Sequence, residues 1–286
     1  MANLKAIKSR IGSIKNTQKI TRAMKMVAAA KMRRAQERMF AARPYAGKIR
    51  EMIHRLVANV DNPQSPLLEI RPVERAMIVV ISGDRGLCGG FNANVLRRAL
   101  QEYSQYPEGT AAFYIVGKKA NDQFTKRGFP IVERHVNVLN DLDFALADRA
   151  AKYIMDAFVS GKVDEVKLVY NEFRNVATQV PVVMPLLPMA VEEEDEVKPT
   201  DFLYEPSQGE LLKGLLPRYV VVQVWQALLE SFAAEQAARM MAMDNATENA
   251  TDLIKSLTLE YNKARQAAIT TEILEIVAGA EALRNQ

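Results

Sequence analysis

The chain has 286 residues, 49% hydrophobic and 25% charged, which is enough for one or two domains with a real core and excludes an intrinsically disordered polypeptide. No uninterrupted apolar run is long enough to span a membrane, and the opening Met1-Ala2-Asn3-Leu4-Lys5 lacks the apolar stretch of a secretory leader. The net charge of +4 conceals an asymmetry: up to Val57 there are fifteen Lys and Arg against Glu37 and Glu51, a balance of +13, so the remainder carries −9. So basic a segment calls for an acidic partner surface or a polyanion. Cys88 is the only cysteine and cannot close an internal disulfide, so a reducing, cytosol-like compartment is expected.

In chain order, residues 3–58 form the first element, a helix. Met32, Ala35, Met39, Ala42, Ala46, Ile49, Ile53 and Leu56 alternate spacings of three and four, the mark of a coiled-coil seam. Pro44 should kink or locally break this helix. Met24, Ala28 and Met32 are spaced four and four, which predicts a stutter in the seam. Asn62-Pro63-Gln64-Ser65-Pro66 then reads as a loop.

Strands and helices alternate through the middle. Arg75–Ser82 is a continuous apolar, β-branched run of the kind a buried parallel strand needs. Asn92–Tyr103 reads as a helix, Ala111–Val116 as a strand, Lys118–Arg127 as a helix and Ile131–Val136 as a short strand. Leu142–Ser160 is a further helix and Glu165–Tyr170 a strand, while Val176–Met184 holds Pro181 and suits a sheet edge. The alternation predicts a parallel-dominated, Rossmann-like α/β domain with an antiparallel edge.

Glu192-Glu193-Glu194-Asp195-Glu196 reads as a solvated loop. The last helix covers roughly 209–284, and Pro217 should bend it or mark its true start. Ala250, Ile254, Leu257, Tyr261, Ala264 and Ala268 carry a second seam, continued one residue out of phase by Ile269, Ile273, Ile276, Ala280 and Leu283. At 1.5 Å per residue the two helices would run ~84 and ~115 Å, several times the ~14 Å radius of gyration of a domain the size of the middle segment. The expected division is 1–60 as one long helix, 61–207 as the α/β domain and 208–286 as the other long helix.

Chemistry is sparse. Ser82-Gly83-Asp84-Arg85-Gly86-Leu87-Cys88-Gly89-Gly90-Phe91-Asn92 sits between a strand and a helix, where phosphate loops occur. It matches neither G-x-x-x-x-G-K-[ST] nor G-x-G-x-x-G, and a tight structural turn accounts for its glycines. Only His54 and His135 could activate Cys88, and neither lies in a supporting pattern. Two histidines and one cysteine make a transition-metal cluster a poor reading. No catalytic, cofactor-binding or metal site is expected. A basic coiled-coil nucleic-acid binder is the rival function class, although aromatic residues do not interleave with the basic ones before Phe40.

Four segments carry a resemblance: IKSRIGSIKNTQKITRAMKMVAAAKMRRAQ near the start, SGDRGLCGGFN in the middle, DFLYEP, and MDNATENATDLIKSLTLEYNKARQAAITTEILEIVAGAEAL at the end. Together they resemble the gamma subunits of F-type ATP synthases over the whole chain. The resemblance implies a non-catalytic central rotor shaft, one copy per complex, built as an antiparallel coiled coil of the terminal helices with the α/β domain as a foot. It implies alpha and beta subunits around the shaft, and the epsilon subunit and the ring of c subunits at the foot. The location implied is peripheral, on the cytoplasmic side of the inner (plasma) membrane. Carried onto this sequence, Arg265 and Gln266, with Met24 and Lys25 on the facing N-terminal stretch, would contact the beta subunits. Glu281 would sit in the hexamer's apolar collar, and Tyr204 and Glu205 would lie near the ring and epsilon. The cysteine-containing insertion of chloroplast members is absent, so thiol control is not implied.

Overall fold

The computed structural model describes residues 2–58, 65–189, 205 and 207–284. Five helices and five strands follow in the order α1 (Ala2–Ala58), β1 (Ala76–Ile81), α2 (Phe91–Tyr103), β2 (Ala111–Val116), α3 (Lys118–Lys126), β3 (Ile131–His135), α4 (Phe144–Val159), β4 (Glu165–Phe173), β5 (Gln179–Leu187) and α5 (Gln208–Arg284). The chain divides into two compact units, Ala28–Arg239 and a pairing of Met1–Val27 with Met240–Gln286. Both long helices contribute to each.

In the unit of Ala28–Arg239 the strands form one sheet in the order β3-β2-β1-β4-β5, parallel except for the antiparallel pairing of β4 with β5. Strand period two sends Met77, Val79 and Ile81 to one face and Ile78 and Val80 to the other. Both faces are covered, which is why β1 is apolar at every position and every one of its residues is buried. Helices α2 and α3 supply Val95, Leu96, Ala99, Ala120 and Phe124 to the core that contains Ile78 and Val80. The other face shares a larger core with α4 and with long stretches of α1 and α5: Met39, Ile49, Ile53 and Leu56 from the first, Leu212, Leu216, Val220 and Leu228 from the last. Strand β5 takes the edge, as its two prolines require; Pro181 stands opposite Asn171 and Pro185 opposite Lys167.

The predicted seam of α1 is the buried one. Met32, Ala35, Met39, Ala46, Ile49, Ile53 and Leu56 are all buried. Two expectations need correction. The stutter is absent: the stripe runs Gln18, Thr21, Lys25, Ala28, Met32 in unbroken spacings of three and four, because Lys25 holds the seam position that an apolar reading gave to Met24. The prolines break nothing. Helix α1 continues through Pro44, and α5 starts at Gln208 and runs through Pro217. Each proline forfeits one backbone bond, and the buried apolar face on either side holds the helix together.

In the second unit α1 and α5 clasp each other antiparallel. Gln18 meets Thr251, Thr21 meets Thr247 and Lys25 meets Asp244, so ascending numbers on one helix face descending numbers on the other, each pair totalling 268 or 269. Ala268 is half-buried, and from Ile269 to Glu281 every residue of α5 is exposed.

Candidate functional site: the glycine-rich loop and the helix surfaces

In a doubly wound sheet with this strand order, ligands bind at the carboxyl ends of the strands beside the point where the order reverses, here between β1 and β4. The glycine-rich segment leaves β1 at that point. The side chains of Ser82, Asp84 and Asn92 are turned onto the protein's own backbone, while Arg85 and Leu87 are exposed. The Asp84 carboxylate accepts N–H bonds from Lys118 (2.9 Å), Asn137 (2.8 Å) and Leu139 (3.0 Å). Ser82 Oγ accepts from Ala120 N at 2.9 Å. The start of α3, a natural anion site, is thus already filled by the chain's own carboxylate and hydroxyl. Asn92 Oδ1 accepts from Gly83 N at 2.8 Å, while its amide donates to Arg85 O and to the Cys88 sulfur.

Helix α5 fills what remains. Ala234 packs on Cys88 and Phe91. Arg239 forms a salt bridge of 2.5 Å with Glu235 and donates to Gly86 O at 3.4 Å. Gly83 suits this close packing, since a Cβ there would come within 3.0 Å of Asn92 Oδ1 and 3.1 Å of the Glu235 carboxyl and would push those side chains aside. Gly117 is more constrained still: its φ is +107°, and a Cβ would lie 2.0 Å from Ser82 O. Burial raises the pKa of Glu235, partly offset by Arg239. Burial also pushes the Cys88 thiol up, against the pull of Arg239, so the sulfur is a protonated packing group. Neither histidine serves it: His54 lies on α1, and His135 on β3 bonds the Tyr114 hydroxyl at 2.7 Å. This loop is a structural knot.

The residues expected to touch partners fall at separate levels. Arg265 and Gln266 are exposed on α5, opposite the first few residues of α1. Met24 and Lys25 are half-buried and lie opposite residues 244 and 245, about 31 Å away along the helix. They do not face Arg265 and Gln266; the antiparallel register sets them some twenty-one residues apart. Lys25 is also engaged within the chain, 2.6 Å from Asp244. Glu281 is exposed a further ~24 Å on. Glu205 is exposed, and Tyr204 lies outside the described residues. The partners of Gln18, Thr21 and Lys25 escaped the sequence reading. A seam search looks for apolar residues, and these three are polar at seam spacing.

A sheet whose ligand crevice is filled by one of its own helices, in a chain that pairs its two ends antiparallel, defines a protein that presents helix surface where related folds present a pocket. The sequence matches the ATP synthase family over residues 3–283. It is 48% identical to the ATP synthase gamma chain of Chlorobium limicola, over all of both chains, and 49% identical to that of Geobacter metallireducens, covering 99% of this chain and all of the relative. Among solved structures it resembles a chain of the central stalk and c-ring of the Tetrahymena thermophila mitochondrial ATP synthase, with 29% identity, a TM-score of 0.62 and coverage of 79% and 99%. A chain of the Euglena gracilis mitochondrial ATP synthase rotor shares the fold at a TM-score of 0.66. This chain belongs to the ATP synthase gamma-chain family. The nucleic-acid reading finds no support in these comparisons.

Proposed function

We propose that this chain is the central rotor shaft of an F-type ATP synthase, carrying torque between a membrane-embedded c-ring and a catalytic hexamer of alpha and beta subunits. The observation that carries this reading is the end of α5. Past Ala268 it leaves Ile269, Ile273, Leu274, Ile276 and Val277 between 47% and 66% exposed. A single helix with such an apolar surface is built to be covered by a partner, and Gly279 and Ala280 keep it thin enough for a socket. Arg265 and Gln266 form one contact level with the beta subunits and Met24 a second. Glu281 enters the hexamer's collar. Tyr204 and Glu205, in the foot of residues 61–207, face the c-ring and epsilon. The exposed Lys5, Lys8, Arg10, Lys15, Lys19 and Arg22 suit an acidic lever on the hexamer.

The shaft has no active site of its own. Its asymmetric surface presents a different face to each of three equivalent catalytic sites, so shaft angle is coupled to the binding free energy at each. No helix among the described residues is long and apolar enough to cross a membrane. In the proposed role the chain is held peripherally, through its partners, on the cytoplasmic side of the inner membrane. Reconstitution tests the reading: purified alpha and beta subunits should assemble with one copy of the chain and protect residues 269–284 from a protease that cuts them in the free chain. Equal cleavage in both states rejects it, as does micromolar ATP binding by the isolated chain in calorimetry.

A further inference from the structure

Three consecutive layers of the α1–α5 clasp are polar, and they share one direction. The Gln18 amide donates to Thr251 Oγ1 at 2.6 Å and the Lys25 ammonium to Asp244 at 2.6 Å. Between them the Thr21 and Thr247 hydroxyls lie 2.7 Å apart and are buried. The α5 threonines commit their own protons to their own helix, Thr247 to Met243 O (2.7 Å) and Thr251 to Thr247 O (2.9 Å). Each therefore turns a lone pair across the seam. The Thr21 hydroxyl can donate across the seam to Thr247 or to Gln18 O (3.1 Å) on its own helix, while in the layers on either side the proton comes from α1 and the acceptor from α5.

Polar groups in an apolar seam weaken it and are retained where they specify register. Only shifts of seven residues keep the seam residues facing inward. Such a shift sets the Thr21 hydroxyl against Ile254 one way and against Met240 the other, so the buried bond to Thr247 is lost in both cases and Thr21 keeps only Gln18 O of its own helix. We infer that Gln18–Thr251, Thr21–Thr247 and Lys25–Asp244 form an axial register lock that stops α1 and α5 sliding past each other. The part played under torque rests on the shaft function proposed above; the lock itself does not. Lys25 is on this account a positioning residue within the chain.

Cross-linking in the free, full-length chain tests the lock without reference to function. In a Cys88→Ser background, Ile14→Cys with Ile254→Cys probes the native register, and Ile14→Cys with Tyr261→Cys probes a seven-residue slip. With the lock intact only the native pair should oxidise to a disulfide. Thr21→Val with Thr247→Val keeps the side-chain shape, so the clasp should still form while the slipped disulfide rises about tenfold for the hydrogen bond lost. Thr21→Ser with Thr247→Ser should restore exclusion. A slipped yield unchanged in the valine variant while the native pair still forms overturns the lock. A chain in which neither disulfide forms, with the helix signal lost, overturns it too, by showing that the threonines hold the clasp together rather than its register. In the assembled complex, the valine variant should lower the number of ions moved per ATP hydrolysed. Slippage in the free chain with normal coupling keeps the lock and rejects its role in torque.

Discussion

Asp84 serves three backbone N–H groups with one carboxylate, one at the start of α3 and two between β3 and α4, and it is buried. Its removal strands those donors. Asp84→Ala should cost about 3 kcal/mol, read as a lower urea midpoint at unchanged slope, with Asp84→Asn recovering part of the loss. Glu230 on α5 illustrates the opposite situation. Burial lifts its pKa to about 6; Glu172 adds to the rise, and Arg43 and the Tyr170 hydroxyl oppose it. An acid whose folded pKa lies above its unfolded value contributes stability at low pH and loses it as pH climbs through the folded value. Stability should therefore fall between about pH 4.5 and 6 on this group's account. Glu230→Gln should flatten that slope and leave the variant about 1 kcal/mol steadier at neutral pH, after discounting for solvent screening. Denaturation across that range decides it: an unchanged slope in the variant removes Glu230 as the cause.

Among the elements, α4 is fixed at its start by Asp143, whose carboxylate accepts from Leu146 N at 2.8 Å. Asp143→Ala should cost about 1 kcal/mol by calorimetric melting, because Leu146 N loses its partner. The long helices obey a different rule. Their stability comes from the buried stripe, which is why Pro44 and Pro217 are carried inside them. Pro44→Ala restores a backbone bond and should raise stability by about 1 kcal/mol or more, measured as a higher urea midpoint. A lower midpoint would mean that α1 is shaped by the ring of Pro44.

For the molecule as a whole, the free end of α5 separates folding from assembly. Ile273 and Ile276 are 55% and 66% exposed, so Ile273→Ser with Ile276→Ser should leave the melting temperature of the isolated chain within the small range of surface changes, about 0.5 kcal/mol. The same pair should weaken binding to the alpha–beta hexamer by tenfold or more, measured by titration, if a partner covers both side chains. Loss of stability in the free chain would instead place these residues in its own core. Much of this architecture was legible in the sequence. Spacings of three and four located both long helices and the seam from Met32 to Leu56, and unbroken β-branched runs located strands buried on both faces, because periodicity is a property of neighbours along the chain. Missing phosphate-binding lysines, likewise local, marked the glycine-rich segment as a turn. What lay beyond the sequence was pairing across distance. That Asp84 would cap α3, that α5 would fill the crevice at the end of β1, that Lys25 would occupy the seam by meeting Asp244, and that Met24 would stand some 31 Å from Arg265 all depend on which residues a fold brings together from far apart in the chain. A polar residue at a seam position reads as an interruption until its partner is known, and only the tertiary structure supplies the partner.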